Sequence, residues 1–177
     1  MAATVLIRRL TGAGPTATDI TSINTRANAY DTHSTADTTS PIQIPAAGTN
    51  YSYWVVTRLD CTVAPTTAIN NIKWYTDGSN GMGTGVTVKV NTATGYVQAT
   101  GTTGVTGTQL TTGNYATLAG APTDAFAYTS GSPLSVTGST STTGQFGDRV
   151  VYQVEVGTTA TPGATSAETF TWRYDES

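Results

Sequence analysis

The sequence predicts an all-β protein, specifically a two-sheet β-sandwich of immunoglobulin-like or jelly-roll type, and three observations carry that expectation. Threonine dominates a chain of 177 residues in which only 11 % are charged and glycine reaches 19. Its β-branched side chain suits a pleated surface and disfavours helix. Turn formers (Gly, Pro, Asn, Asp) recur at short spacing. Apolar residues alternate with period two in several runs, the pattern of half-buried strands. A chain of this length buries most of its apolar surface in one domain without metals or disulfides.

The elements follow in order. Thr4 to Leu10 reads as a short strand, and Thr11 to Asn50 then has little periodicity. A structureless stretch of that length is unusual inside a compact domain, so it is expected to be functional, laid over a neighbour or locally mobile, and an arm packed on another subunit is the favoured reading. Tyr51 to Val63 reads as a central strand, with Tyr53, Val55, Leu59 and Cys61 on one face and Trp54, Val56 and Arg58 on the other. Ile69 to Tyr75 sets Ile72 and Trp74 against Asn71, Lys73 and Tyr75, and Asp77-Gly-Ser-Asn-Gly81 closes it as a turn. Val86, Val88 and Val90 alternate with Thr87 and Lys89, and a short strand is expected around Tyr96 to Ala99. Thr100 to Gly147 reads as long Gly/Thr-rich loops and edge strands. Arg149 to Val156 and Glu168 to Tyr174 are again strands, able to pair as a hairpin across Gly157 to Ala167. The expected organisation is residues 1–50 as an N-terminal strand and extended arm of the same domain, and 51–177 as the sandwich body.

Charge narrows the partners. A net charge of −3 and a pI near 4.8 argue against nucleic acid or an anionic membrane, which want a basic patch. No run approaches the roughly eighteen apolar residues of a membrane helix. Arg8 and Arg9 follow the short apolar start instead of preceding it, which is not the layout of a secretory signal.

The chemical readings are thin. His33 is the only histidine, and no Gly-x-Ser-x-Gly elbow presents a nucleophile to it. Asp31, His33 and Asp37 could start a metal site but lack further ligands. Asp77 to Gly81 has the composition of a calcium loop without its ligand alternation or closing Glu, so a plain turn is expected. Nothing in the spacing of Asp60, Asp124, Asp148, Glu155 and Glu168 selects a glycosidase pair. Cys61, alone, excludes an intrachain disulfide and reads as a small buried hydrophobe. Trp54, Trp74 and Trp172 read as core, and Asn50-Tyr-Ser52 as an incidental glycosylation match. The expectation is a protein that is not an enzyme and needs no cofactor.

One segment looks built for contact. Pro41-Ile-Gln-Ile-Pro45 is held extended by its prolines, and Ile42 and Ile44 on one face could fill pockets on a partner or pack on the protein's own body.

The blocks Ile23-Asn-Thr-Arg-Ala-Asn28, Pro41 to Pro45, Gly48-Thr-Asn-Tyr-Ser-Tyr-Trp54, Asn70-Asn-Ile-Lys-Trp-Tyr-Thr-Asp-Gly78 and Gly83-Thr-Gly-Val86 resemble structural proteins of tailed bacteriophages. The resemblance covers roughly the first half. It implies a virion protein that decorates or cements the capsid surface, is made in the host cytoplasm, and contacts the major capsid protein or copies of itself. A homo-oligomer, such as a trimer at capsid threefold positions, is what the resemblance implies. Pro41, Ile42, Ile44, Pro45, Arg26 and Tyr30 are the expected contact residues. The alternative is a carbohydrate- or receptor-binding module of a tail or fibre, with Tyr30, Tyr115 and Tyr128 facing a host-surface glycan.

Overall fold

A computed structural model describes residues 2–36 and 38–177 and is all-β, built of antiparallel sheets. Its strands are β1 (Thr4–Thr11), β2 (Thr16–Asp19), β3 (Thr49–Tyr51), β4 (Val55–Val63), β5 (Ile69–Tyr75), β6 (Val86–Ala93), β7 (Gly101–Thr102), β8 (Thr106–Gly107), β9 (Thr123–Asp124), β10 (Leu134–Ser135), β11 (Gly144–Gly157) and β12 (Thr171–Glu176). One turn of 3₁₀ helix, Ala125–Ala127, is the helical element.

The large sheet runs β2-β1-β4-β11-β6-β9, and β3 pairs with β11 beyond the end of β4. A smaller sheet runs β10-β5-β12, and β7 and β8 form a separate ribbon. β11 is the spine: it bonds β4 along Gly144 to Tyr152, β3 along Glu155 to Gly157, and β6 along Arg149 to Val156. Both of its faces are covered, so Val150 through Val154 are all buried. A strand in that position reads as an almost continuous apolar run.

On one face Val55, Leu59, Val88, Val90, Val150, Tyr152 and Val154 share a core with Ile69, Ile72 and Trp74 of β5. Phe170, Trp172 and Tyr174, from β12 and the residue before it, complete this core half-buried. Phe170 meets Trp74 at 5.1 Å and sits edge-on to Tyr152 at 4.9 Å. Full burial of such a ring is worth about 1.5–3 kcal/mol, of which a half-buried one contributes a part. On the opposite face a second core gathers Leu10, Trp54, Val56 and Val151 beneath Ala99, Leu110 and Tyr115. Trp54 packs edge-on to Tyr115 at 5.4 Å and donates its indole N–H to the Val97 carbonyl at 3.0 Å.

Three expectations change. β11 and β12 do not form a hairpin; they lie in different sheets, because the long link after Gly157 lets β12 cross over and pack Phe170 on Tyr152 while bonding β5. Tyr96 to Ala99 is not a strand: Tyr96 Oη donates to the Gly12 carbonyl at 2.7 Å and Trp54 holds Val97, so side chains fix this stretch without a ladder. The strand expected from Tyr51 to Val63 breaks at Ser52 to Trp54, and the break turns Tyr53 into the second core beside Trp54.

The arm folds onto its own domain. β2 pairs with β1 as a hairpin, and the described residues of 20–48 then carry no strand. They are tied down instead by backbone bonds, Tyr53 N–H to the Asn28 carbonyl at 2.9 Å, Gly104 N–H to that of Ala29 at 2.9 Å and Gln43 N–H to that of Val105 at 3.0 Å. The arm thereby places Ile42 and Ile44 against the inter-sheet core.

Candidate functional site

The three-stranded sheet is narrower than the large sheet it faces, and the arm closes only part of the remainder. What is left is an apolar groove of about 650 Å³. Tyr152, Val154 and Val156 of β11 are its floor, since the alternation that buries Val150 also points them this way. Ile20, Ile23, Ile42 and Ile44 of the arm form one wall, and Trp74, Met82, Phe170 and Trp172 the other. The strand-free link of residues 160–169 also lines it. Ile23 stands at this groove with 48 % of its surface exposed.

Of the six expected contact residues, Arg26, Pro41, Ile42 and Ile44 line the groove, whereas Pro45 and Tyr30 do not. Tyr30 is exposed elsewhere on the arm and Pro45 is half-buried. Phe170 and Trp172 were not legible as groove residues, because only the crossing of β12 into the second sheet carries them to the arm, and Met82 joins them from the turn between β5 and β6.

The groove's charged residues are Arg26 and Glu168. Glu168 Oε1 accepts from Gly81 N–H at 2.6 Å, so its carboxylate pins the 77–83 turn. Arg26 donates from Nε to the Thr35 carbonyl at 3.3 Å, and its own carbonyl accepts from Arg9 Nη1 at 2.6 Å. Arg9 is 1 % exposed, and burial pulls its pKa down while Tyr152, Asp31 and Tyr96 act the other way. Burial likewise pushes the Tyr152 phenol up to about 12.

The chemical candidates are engaged in holding the fold. Asp31 Oδ2 accepts from Gly12 N–H at 3.0 Å and Gln98 Nε2 at 2.9 Å, and His33 Nδ1 faces Thr25 Oγ1 at 3.1 Å. Asp37 lies outside the described residues. Among the described residues no group of three His, Cys, Asp or Glu side chains is placed to share a metal ion. In the 77–81 turn, Asp77 Oδ1 accepts from Ser79 N–H at 2.9 Å and Asn80 Oδ1 from Met82 N–H at 3.0 Å. Asp60 pairs with Arg8 at 2.8 Å, and Glu155 accepts from Thr87 at 3.0 Å. Cys61 is 1 % exposed, and burial, then Asp60 and Glu176, push its thiol pKa up.

Of the tyrosines expected to face a glycan, Tyr115 is fully buried and donates its hydroxyl to the Gly95 carbonyl at 3.0 Å, so it presents no platform. Tyr128 is half-buried with its hydroxyl 2.9 Å from Thr123 Oγ1.

No protein-family model, no curated protein sequence and no solved structure matches this chain.

Proposed function

We propose that the chain is a non-enzymatic structural protein of a tailed-bacteriophage virion that decorates or cements the capsid surface. In this reading its body is a two-sheet sandwich of immunoglobulin-like or jelly-roll type, and the partner is the major capsid protein or further copies of the chain. The observation that supports it is the apolar groove between the arm and β12, lined by Arg26, Pro41, Ile42 and Ile44 from the segments that resemble phage structural proteins. A surface of this kind gains affinity from burying apolar anchors, not from charge. Its two charged side chains are engaged in structural hydrogen bonds, Glu168 with Gly81 N–H and Arg26 with the Thr35 carbonyl.

The test is to mix the purified chain with particles of the cognate phage that lack it. Co-sedimentation at a regular stoichiometry, lost on substituting Ile23→Asp, supports the reading. No binding to such particles at micromolar concentration sinks it.

A second reading, glycan or receptor binding at a tail or fibre, is favoured by a small cleft lined by Tyr75, Asp77, Thr129, Ser130, Thr169 and Thr171. An aromatic ring beside hydroxyls and a carboxylate is the chemistry a sugar ring meets. Glycan-array binding that disappears with Tyr75→Ala would favour it over the capsid reading.

A further inference from the structure

We propose that Arg9, Thr25 and His33 form an acid-sensitive latch, which holds the arm closed against the large sheet and releases it when His33 takes up a proton. The proposal does not depend on what occupies the groove.

The latch is a chain of three side chains from two elements. Arg9, on β1, donates from Nη1 to Thr25 Oγ1 at 2.6 Å, and Thr25 Oγ1 lies 3.1 Å from His33 Nδ1. A guanidinium can only donate, so the Thr25 hydroxyl accepts from Arg9, which leaves it one proton and one lone pair for His33. In the neutral tautomer whose Nδ1 is bare, His33 accepts that proton. The same Arg9 nitrogen also donates to the Arg26 carbonyl, and Thr25 and Arg26 both line the groove. This chain therefore ties the Thr25–Arg26 part of the groove wall to β1, beside the backbone bonds that hold Asn28 and Ala29.

Protonation changes two things at once. Nδ1 becomes a donor, so the Thr25 proton loses its acceptor. A new positive charge also arises beside a buried guanidinium whose Nε has no hydrogen-bond partner and which, among the described residues, forms no ion pair. Among the described residues Arg9 on β1 is the charged group that acts on His33, and Arg26 and Asp31 lie on the same stretch of the arm. Asp31 is engaged by Gly12 and Gln98. Asp37, close in sequence, lies outside the described residues.

Burial, and after it Arg9, lower the His33 pKa from its usual range. The closed arm therefore binds the proton less well than the free chain does. Closure is complete above the ordinary histidine pKa and declines as pH falls through the lowered one.

Amide hydrogen exchange of the full chain at about pH 7.5 and about pH 5, corrected for intrinsic rates, reads the latch directly. The expected result is a rise of about tenfold in arm exchange over residues 24–36 in acid, with β11 amides still protected. His33→Asn keeps an acceptor near Nδ1 and cannot titrate, so its arm should not respond. Asp37→Asn should respond like wild type. Unchanged exchange, an equal response in His33→Asn, a response abolished by Asp37→Asn, or loss of β11 protection together with the arm overturns the proposal. If His33→Asn does not fold, an NMR titration of His33 in the wild-type chain decides: a pKa above the ordinary histidine value overturns the latch, and a lowered one that tracks the arm resonances upholds it.

Discussion

The side-chain amide of Gln153 donates to the Ser52 carbonyl at 2.7 Å, at the point where the strand line of β3 and β4 is broken. The same amide donates to the Thr108 carbonyl at 2.8 Å, and its oxygen accepts from Leu110 N–H at 2.6 Å. Ser52 Oγ meanwhile accepts from Val154 N–H at 3.0 Å, standing in for a missing ladder bond. One fully buried amide thus fastens a loop and a strand break to the central strand.

Gln153→Leu should therefore be far worse than its similar volume suggests. It leaves one buried N–H and two carbonyls without partners, a loss of about 2–4 kcal/mol by urea unfolding. Loop amides near Leu110 should exchange faster while β4 amides track global stability. A loss below about 1 kcal/mol would mean the network is not structural.

Gly107 lies against this same break. A Cβ there would collide with the Ser52 carbonyl, which is backbone and cannot swing aside. Gly107→Ala should lower the thermal midpoint markedly, whereas Gly113→Ala, whose nearest neighbour would be the Thr111 hydroxyl at 3.8 Å, should leave it nearly unchanged.

Tyr152 gives stability an alkaline limit. Its phenol is pushed up to about 12 by burial, above the roughly 10 of an unfolded tyrosine. A raised pKa means that the folded state holds the proton more tightly. The contribution is therefore complete below about pH 10 and lost as pH rises towards 12. Tyr152→Phe should flatten that decline in a pH series of urea midpoints.

Cys61 should resist alkylation by iodoacetamide at mildly alkaline pH and react once the chain is unfolded. Its thiol is buried, donates to the Val63 carbonyl at 3.1 Å, and has a raised pKa. Labelling of the native protein at the rate of a free thiol would contradict its position in the core.

The strand faces were legible wherever one face met a core and the next residue met solvent, as in Val86, Val88 and Val90, or Ile72 and Trp74. Strand partners were not. Which sheet takes β12 depends on the length of its link and on where Phe170 docks, and alternation is identical in either sheet. Gln153 reads in sequence as an outward polar residue, yet a loop covers that face and makes it the most connected buried amide of the fold. The groove was half legible: Pro41, Ile42 and Ile44 advertise an extended apolar segment, but only the folded chain sets them opposite Trp172 and Phe170.

The proposed virion role is decided by electron cryo-microscopy of phage particles that carry this chain. If that proposal holds, the chain sits in a regular capsid lattice, with residues of a neighbouring subunit filling the groove between Ile42 and Phe170. A chain absent from the capsid lattice, or present with that groove open to solvent, would contradict it.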